Sequence, residues 1–167
     1  MVHQRPSKFV VGPGSACKLK ACAKLAAMTV DAERSLKARM ECLHEATTWV
    51  EAYCRDHGIS GASVLRLTLI VEELFTNTEM HGHGGDSDAP VHLALDIQAL
   101  QIVLSYADTA PPFDPLAHAA RVDSLDAAGT DGRRVGGLGV ALVIRMVASA
   151  SYSRVDGWNR LQLVLPL

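Results

Sequence analysis

The chain has 167 residues, 49% of them hydrophobic, and a formal net charge of -2. That is apolar material for one compact core and too little for two, on the usual scale of about 100–200 residues per domain. A near-neutral balance offers no basic face for nucleic acid or anionic lipid, and no apolar run suits a membrane span or a signal-peptide core; the expectation is a cytoplasmic protein without nucleic-acid or membrane partners.

In chain order, residues 1–28 stand apart from the domain expected over 29–167. Arg5, Lys8, Lys18, Lys20 and Lys24 all precede the first acidic residue, Asp31, and Gly12-Pro13-Gly14 interrupts the segment. Three readings are open: a flexible basic arm, a short helix from about Ser15 to Ala27, or leader sequence ahead of a start near Met28. Cys17, Cys22, Cys42 and Cys54 form no Cys-x-x-Cys pair and read as reduced thiols.

From about Ala32 to His57, Leu36, Met40, Leu43, Thr47, Val50 and Cys54 recur at helical spacing, and Gly58 stops the pattern. A second helix beginning near Ser60 or Ser63 carries a broad apolar stripe through Val64, Leu67, Ile70, Val71, Leu74 and Phe75, broken by Glu72, Glu73, Thr76 and Asn77. Residues 81–90 read as a glycine-rich loop. Val91, Leu93, Leu95 and Ile97 alternate with polar or small residues, and Ile102-Val103-Leu104 follows a turn at 98–100, giving an antiparallel hairpin. Prolines break structure over 110–115. The stretch 117–137 reads as a long mobile connection holding one short helix, of the kind that serves as a lid. A helix over 138–148 and two strands, 152–155 and 161–167, joined by a turn at Asp156-Gly157, complete the chain. This order predicts an α/β (α+β) two-layer sandwich: one mixed, mostly antiparallel sheet with its helices on one face.

Three islands carry chemistry. Glu73, Asn77 and His81 recur every four residues, so a helix stacks them along one edge. A carboxylate and a carboxamide one turn apart suit a magnesium–phosphate site, the amide oxygen as a hard ligand and the carboxylate as base; an ordinary solvated helix edge would look the same. Asp108 ends a strand before Pro111 and Pro112, where it either accepts a hydrogen bond from the amine of adenine or merely initiates a turn. Gly136, Gly137 and Gly139 open a helix, where backbone amides can approach phosphate; many helices simply begin after a glycine turn.

Taken in order, these islands resemble the N, G1 and G2 boxes of the histidine-kinase-like (GHKL) ATPases over about Ala32 to Leu167. Glu73-x-x-Thr76-Asn77-x-x-x-His81-Gly82, with Phe113-Asp114-Pro115 after the aspartate, is most similar to the anti-sigma-factor serine/threonine kinases. The resemblance implies a Bergerat-type fold with ATP and Mg2+ as cofactors. It implies Glu73 as general base, Asn77 as the magnesium ligand and Asp108 as the adenine reader. It places Phe113 and Leu138 at the nucleotide, His81 either at the nucleotide or as a cap of its helix, Gly136, Gly137 and Gly139 at the lid hinge, and Arg133 or Arg134 at the phosphates. Partners implied are a sigma factor and an antagonist protein, with dimerisation. One departure stands out: where the G1 box reads Asp-x-Gly, this chain has Asp108-Thr109-Ala110, which would strain the turn, crowd the base, shift the turn or change nothing.

Other readings are a non-catalytic module that sequesters a partner, and a histidine-kinase catalytic domain with His44 as phosphoacceptor. The interval from His44 to Glu73 is too short for the helical hairpin the latter needs. A metal hydrolase built on His81, His83, His92 and His118 matches no ligand spacing.

Overall fold

The computed structural model describes residues 7–10, 31–127 and 138–167. The elements run β1 (Ser7–Val10), β2 (Ala32–Lys37), α1 (Met40–Asp56), α2 (Gly61–Thr76), a π-helical segment (Asn77–His83), β3 (Pro90–Gln98), β4 (Gln101–Asp108), α3 (Pro115–Ala127), α4 (Leu138–Met146), β5 (Ser149–Val155) and β6 (Trp158–Pro166). The strands form one six-stranded sheet in the order β1-β5-β6-β4-β3-β2. All five ladders among the described strands are antiparallel, where the sequence predicts a mixed sheet.

Register follows from alternation. Leu93, Tyr106 and Leu161 share a row across β3, β4 and β6, as do Leu95, Leu104 and Leu163. These six side chains are buried and join Val50 and Cys54 of α1, Leu67, Ile70, Val71 and Phe75 of α2, and Val143 and Ile144 of α4 in one cluster. A slip of one residue would turn every such side chain to the other face, exposing groups worth about 1.5–3 kcal/mol each when buried. The opposite face carries exposed Ser35, His92 and Arg160. The result is the two-layer α/β sandwich, helices on one face, that the sequence predicts.

Four elements differ from the sequence expectation. Ala32–Lys37 is a strand paired with β3, not the first turns of a helix; Leu36 fits the helical period but sits opposite Val91. The second helix does not end before His81: it widens into the π-helical segment and stops at Gly84, which adopts the left-handed conformation at φ 75°. The connection from 117, expected to hold one short helix, begins inside a 13-residue helix, α3, that starts at Pro115. Asp114 starts it, its Oδ1 accepting hydrogen bonds from the amides of Leu116 (2.9 Å) and Ala117 (3.1 Å), with Pro115 at the first helical position and alanines following. Finally, Ser7–Val10 of the basic leader pairs with β5, Ser7 opposite Tyr152. The helix weighed for 15–27, and Cys17 and Cys22 within it, lie outside the described residues; Cys42 and Cys54 are free thiols.

The loop after Gly84 is fastened to the start of α1. Asp86 Oδ1 accepts the Met40 amide at 2.9 Å, serving as a cap from outside the helix. Asp88 accepts from Lys37 and Arg39 at 2.8 and 2.9 Å, and those cations hold its carboxyl below the usual carboxylate range. The final hairpin turns through Asp156 and Gly157, both at positive φ (50° and 83°), as a two-residue turn between right-twisted strands requires.

Candidate functional site

At one end of the sheet the apolar rows give way to one that turns polar: beside Val91 on β3 lie Asp108 on β4, Asn159 on β6 and Arg154 on β5. Above this row opens a cavity of about 460 Å3 walled by Leu74, Asn77, Thr78 and His81 from the second helix and its π segment, by Asp108 and Ala110 from β4 and its turn, and by Phe113, His118, Val140, Tyr152, Asn159 and Leu161. That volume lies within the range of small-molecule and cofactor sites, and its mix of apolar walls with a few converging polar groups is their usual makeup.

Asp108 is 7% exposed and its two oxygens differ. Oδ1 accepts from the Ala110 amide (2.9 Å) and from Asn159 Nδ2 (2.8 Å). Oδ2 faces Thr78 Oγ1 at 3.4 Å, a long contact, which leaves this oxygen able to accept from a ligand. The bond to the Ala110 amide is an aspartate turn, so the structural role and the wall position are held together by one side chain. Thr78 Oγ1 lies 2.8 Å from the Tyr106 hydroxyl, which is also 3.3 Å from the Leu74 carbonyl. Burial pushes the Tyr106 phenol far above its ordinary range, so it stays protonated and donates.

The π-helical segment explains how the second helix reaches this wall. Such wide turns are rare and mostly single, frequently at functional sites. Here Asn77, Thr78, His81 and Gly82 all border the cavity. Glu73, one turn earlier, is not in its lining; its carboxylate is packed against Gly139 in the first turn of α4, where a side chain at 139 would come 2.7 Å from Glu73 Cδ. The face expected to carry Glu73, Asn77 and His81 together is therefore split, the carboxylate meeting α4 and the other two meeting the cavity.

The substitution at Ala110 has a partner. Ala110 is buried and is not among the described non-glycine residues with positive φ, so its turn is unstrained. A methyl group on Gly82 would stand 2.7 Å from the Ala110 Cβ. The methyl that Ala110 adds thus occupies space that Gly82 leaves open.

Phe113 borders the cavity, 43% exposed, with its ring 5.4 Å from that of His118. His118 Nε2 is buried without a hydrogen-bond partner among the described residues, so it can donate to or accept from a ligand. Leu138 opens α4. Arg133, Arg134, Gly136 and Gly137 lie outside the described residues. Sequence reasoning missed Thr78, Tyr106, Tyr152, Arg154 and Asn159 as site residues, and weighed His118 only as a metal ligand, not as part of this cavity. For Asn159 a signal existed: it is the polar residue in an otherwise apolar register with Leu161, Leu163 and Leu165, which marks a buried polar group in need of partners.

A cavity at the end of an antiparallel sheet, floored by a strand-end aspartate and walled by a helix that carries Asn77, Thr78 and His81 in order, has the architecture of a GHKL-type domain. The chain belongs to the histidine kinase-like ATPase domain family, whose profile matches residues 36–165. It is similar to the serine/threonine-protein kinase BtrW of Bordetella bronchiseptica, at 29% identity over 119 residues, 71% of this chain and 82% of that protein. In three dimensions it resembles a chain of the SiaB–SiaC complex from Pseudomonas aeruginosa, with a TM-score of 0.52 and 13% identity over 83% of this chain and 91% of that one, a likeness of fold. Among the described residues no helix is long and apolar enough to cross a membrane.

Proposed function

We propose that residues 29–167 form a cytoplasmic ATP-binding regulator of the anti-sigma-factor type, which transfers the γ-phosphoryl group of ATP to a serine or threonine of a small antagonist protein. The observation that carries this reading is Asp108, buried at a strand end with one oxygen turned to a largely apolar cavity, in a chain of this family. An acceptor-only oxygen there favours the exocyclic amine of adenine over the carbonyl that guanine presents.

The donor set fits magnesium in the manner usual for phosphate sites. Among the described residues no cluster of three His, Cys, Asp or Glu could cage a cation, whereas the Asn77 carboxamide borders the cavity and would hold a magnesium ion that completes its shell with phosphates and water. When bound, that ion neutralises phosphate charge. Asn77 would position it, His81 and His118 would contact the nucleotide, and Glu73 would orient or deprotonate the substrate hydroxyl, since phosphoryl transfer depends chiefly on positioning and electrostatics. A phosphate on the antagonist adds about two negative charges and would end its binding, freeing the regulator, as a dimer, to hold a sigma factor.

Titration calorimetry of ATP with and without magnesium tests the site. Affinity should require magnesium and fall in Asn77→Ala and in Asp108→Asn; unchanged affinity in both sinks the assignment. Glu73→Ala should keep ATP binding and lose transfer to the antagonist by about 100-fold or more, the usual scale of a positioned base. One observation favours a second reading, a partner-binding module without catalysis: the Glu73 carboxylate is packed against Gly139 and does not border the cavity. Binding of ATP by the wild type with no transfer to any serine or threonine would select it.

A further inference from the structure

Asp108 is oriented by a group that no sequence motif contains. Asn159 on β6 is 7% exposed, and both ends of its carboxamide are engaged. Its Nδ2 donates to Asp108 Oδ1 at 2.8 Å and lies 3.2 Å from the carbonyls of both Ala110 and Pro111. Its Oδ1 accepts from the Tyr152 hydroxyl at 2.9 Å and from Arg154 Nη1 at 2.7 Å. The same Arg154 nitrogen donates to the Ala110 carbonyl at 2.7 Å.

The amide's direction is thereby set by chemistry. A guanidinium has donors and no acceptor, so the atom of Asn159 facing Arg154 must be the oxygen. The Tyr152 hydroxyl donates to that same oxygen at 2.9 Å. With the oxygen held by two donors, the NH2 group has to face Asp108. A reversed amide would place NH2 against the guanidinium and oxygen against the carboxylate, two repulsive contacts in a buried place.

This fixes which oxygen of Asp108 meets a ligand. Oδ1 is saturated by the Asn159 and Ala110 donors, and Oδ2 is left to the cavity with only the long Thr78 contact. We infer that Arg154 and Asn159, backed by Tyr152, are the positioning residues that set base selectivity: neither oxygen of the ionised Asp108 carboxylate can donate, and the network holds the carboxylate so that its unoccupied acceptor stays at one place in the cavity, with the Ala110 turn tied to the same lock. This rests on the reading of the cavity as an adenine-nucleotide site and names what makes that site discriminate. Without the guanidinium, Asn159 keeps its direction only through the Tyr152 donor and the acceptors around its NH2 group, the Ala110 turn loses one of its ties, Asp108 is held less firmly, and the distinction between an amine and a carbonyl at the base edge weakens.

The test is calorimetric titration of magnesium-ATP and magnesium-GTP into the full-length wild type, Arg154→Met and Tyr152→Phe, each first checked for a cooperative thermal transition. The wild type should prefer ATP. Arg154→Met should lower the ATP-to-GTP affinity ratio by about tenfold, the scale of a lost charged hydrogen bond, and Arg154→Lys, which keeps a donor, should recover part of it. Tyr152→Phe removes one donor and leaves the guanidinium, so a smaller fall in the same ratio is expected; it carries the test if Arg154→Met does not fold. A residue that merely supports the fold would weaken both nucleotides alike, so an unchanged ratio in folded variants overturns the inference while leaving the nucleotide site intact. Absence of ATP binding in the wild type overturns the nucleotide reading and this inference together.

Discussion

At the scale of single residues, the departure of Ala110 from the family's glycine is answered by Gly82, 28 positions upstream (110 minus 82) and on a different element. The sequence shows that the glycine is missing and names strain or crowding as the cost; it cannot show which, because both the φ value and the neighbour are properties of the folded chain. With φ ordinary, only crowding remains, directed at Gly82. Gly82→Ala should therefore destabilise by roughly 1–3 kcal/mol, as overpacking of a tight contact does. The excess should shrink when Ala110→Gly is added, because the second change removes the atom that the first one strikes. Urea denaturation of the two single variants and the double variant closes the cycle, and additivity within about 0.5 kcal/mol would show that the two positions do not meet. Asp108 and Asn77 were legible from residue type and position. Asn159 showed only as a polar break in an apolar register and Arg154 not at all, since their meaning lies in a pairing across strands.

At the scale of elements, long periodic helices were readable and short or irregular ones were not. In β2 only Leu36 is buried, so six residues at the sheet edge carry too little pattern to separate a period of two from one of 3.6; pairing with β3 decides. The π-helical segment is equally hidden, because nothing in local propensity announces a wider turn. What the register does expose is the link between α1 and the residue before β2. The Tyr53 hydroxyl on α1 contacts Asp31 Oδ2 at 3.3 Å, and the same oxygen accepts the Ile97 amide at 3.3 Å. Burial first, then the Asp31 charge, pushes the Tyr53 phenol up to about 12. A folded-state value above the ordinary 10 means that the native chain holds the proton longer than the unfolded one, so stability is fully present below about pH 10 and declines as pH rises toward 12. Chemical denaturation over pH 9 to 12 should show a steeper loss in the wild type than in Tyr53→Phe, whose curve lacks this titration; identical slopes would mean that Tyr53 ionises as freely in the fold as outside it.

Across the whole molecule, the site sits where a sheet built for burial runs out of apolar residues. The rows through Leu95–Leu104–Leu163 and Leu93–Tyr106–Leu161 anchor α2, and the next row, Val91–Asp108–Asn159, is free to be polar because the cavity lies above it. Alternation in three strands made the sheet legible, but β1 was not, since four residues of a basic leader give no pattern. Its placement bears on the domain boundary. Among the described strands β1 pairs with β5 alone, the strand that carries Tyr152 and Arg154, yet the hydrogen bonds that those side chains make with Asn159 and the Ala110 carbonyl run to β6 and to the turn after β4, away from β1. Removing residues 1–28 should then uncover the β5 edge without disturbing the polar row. Loss of the few ladder hydrogen bonds should cost roughly 1–3 kcal/mol, a fall in Tm of several degrees for a domain of this size. The bare edge should promote association as concentration rises, because unpaired strand edges template other strands. ATP affinity should stay within about threefold of the full chain, less than 1 kcal/mol. Thermal melts, sedimentation at two concentrations and ATP titration of the shortened chain measure the three quantities separately. A collapse of affinity with an intact melt would mean that β1 sets the position of Tyr152 and Arg154 and belongs to the nucleotide site, moving the functional boundary of the domain back to Ser7.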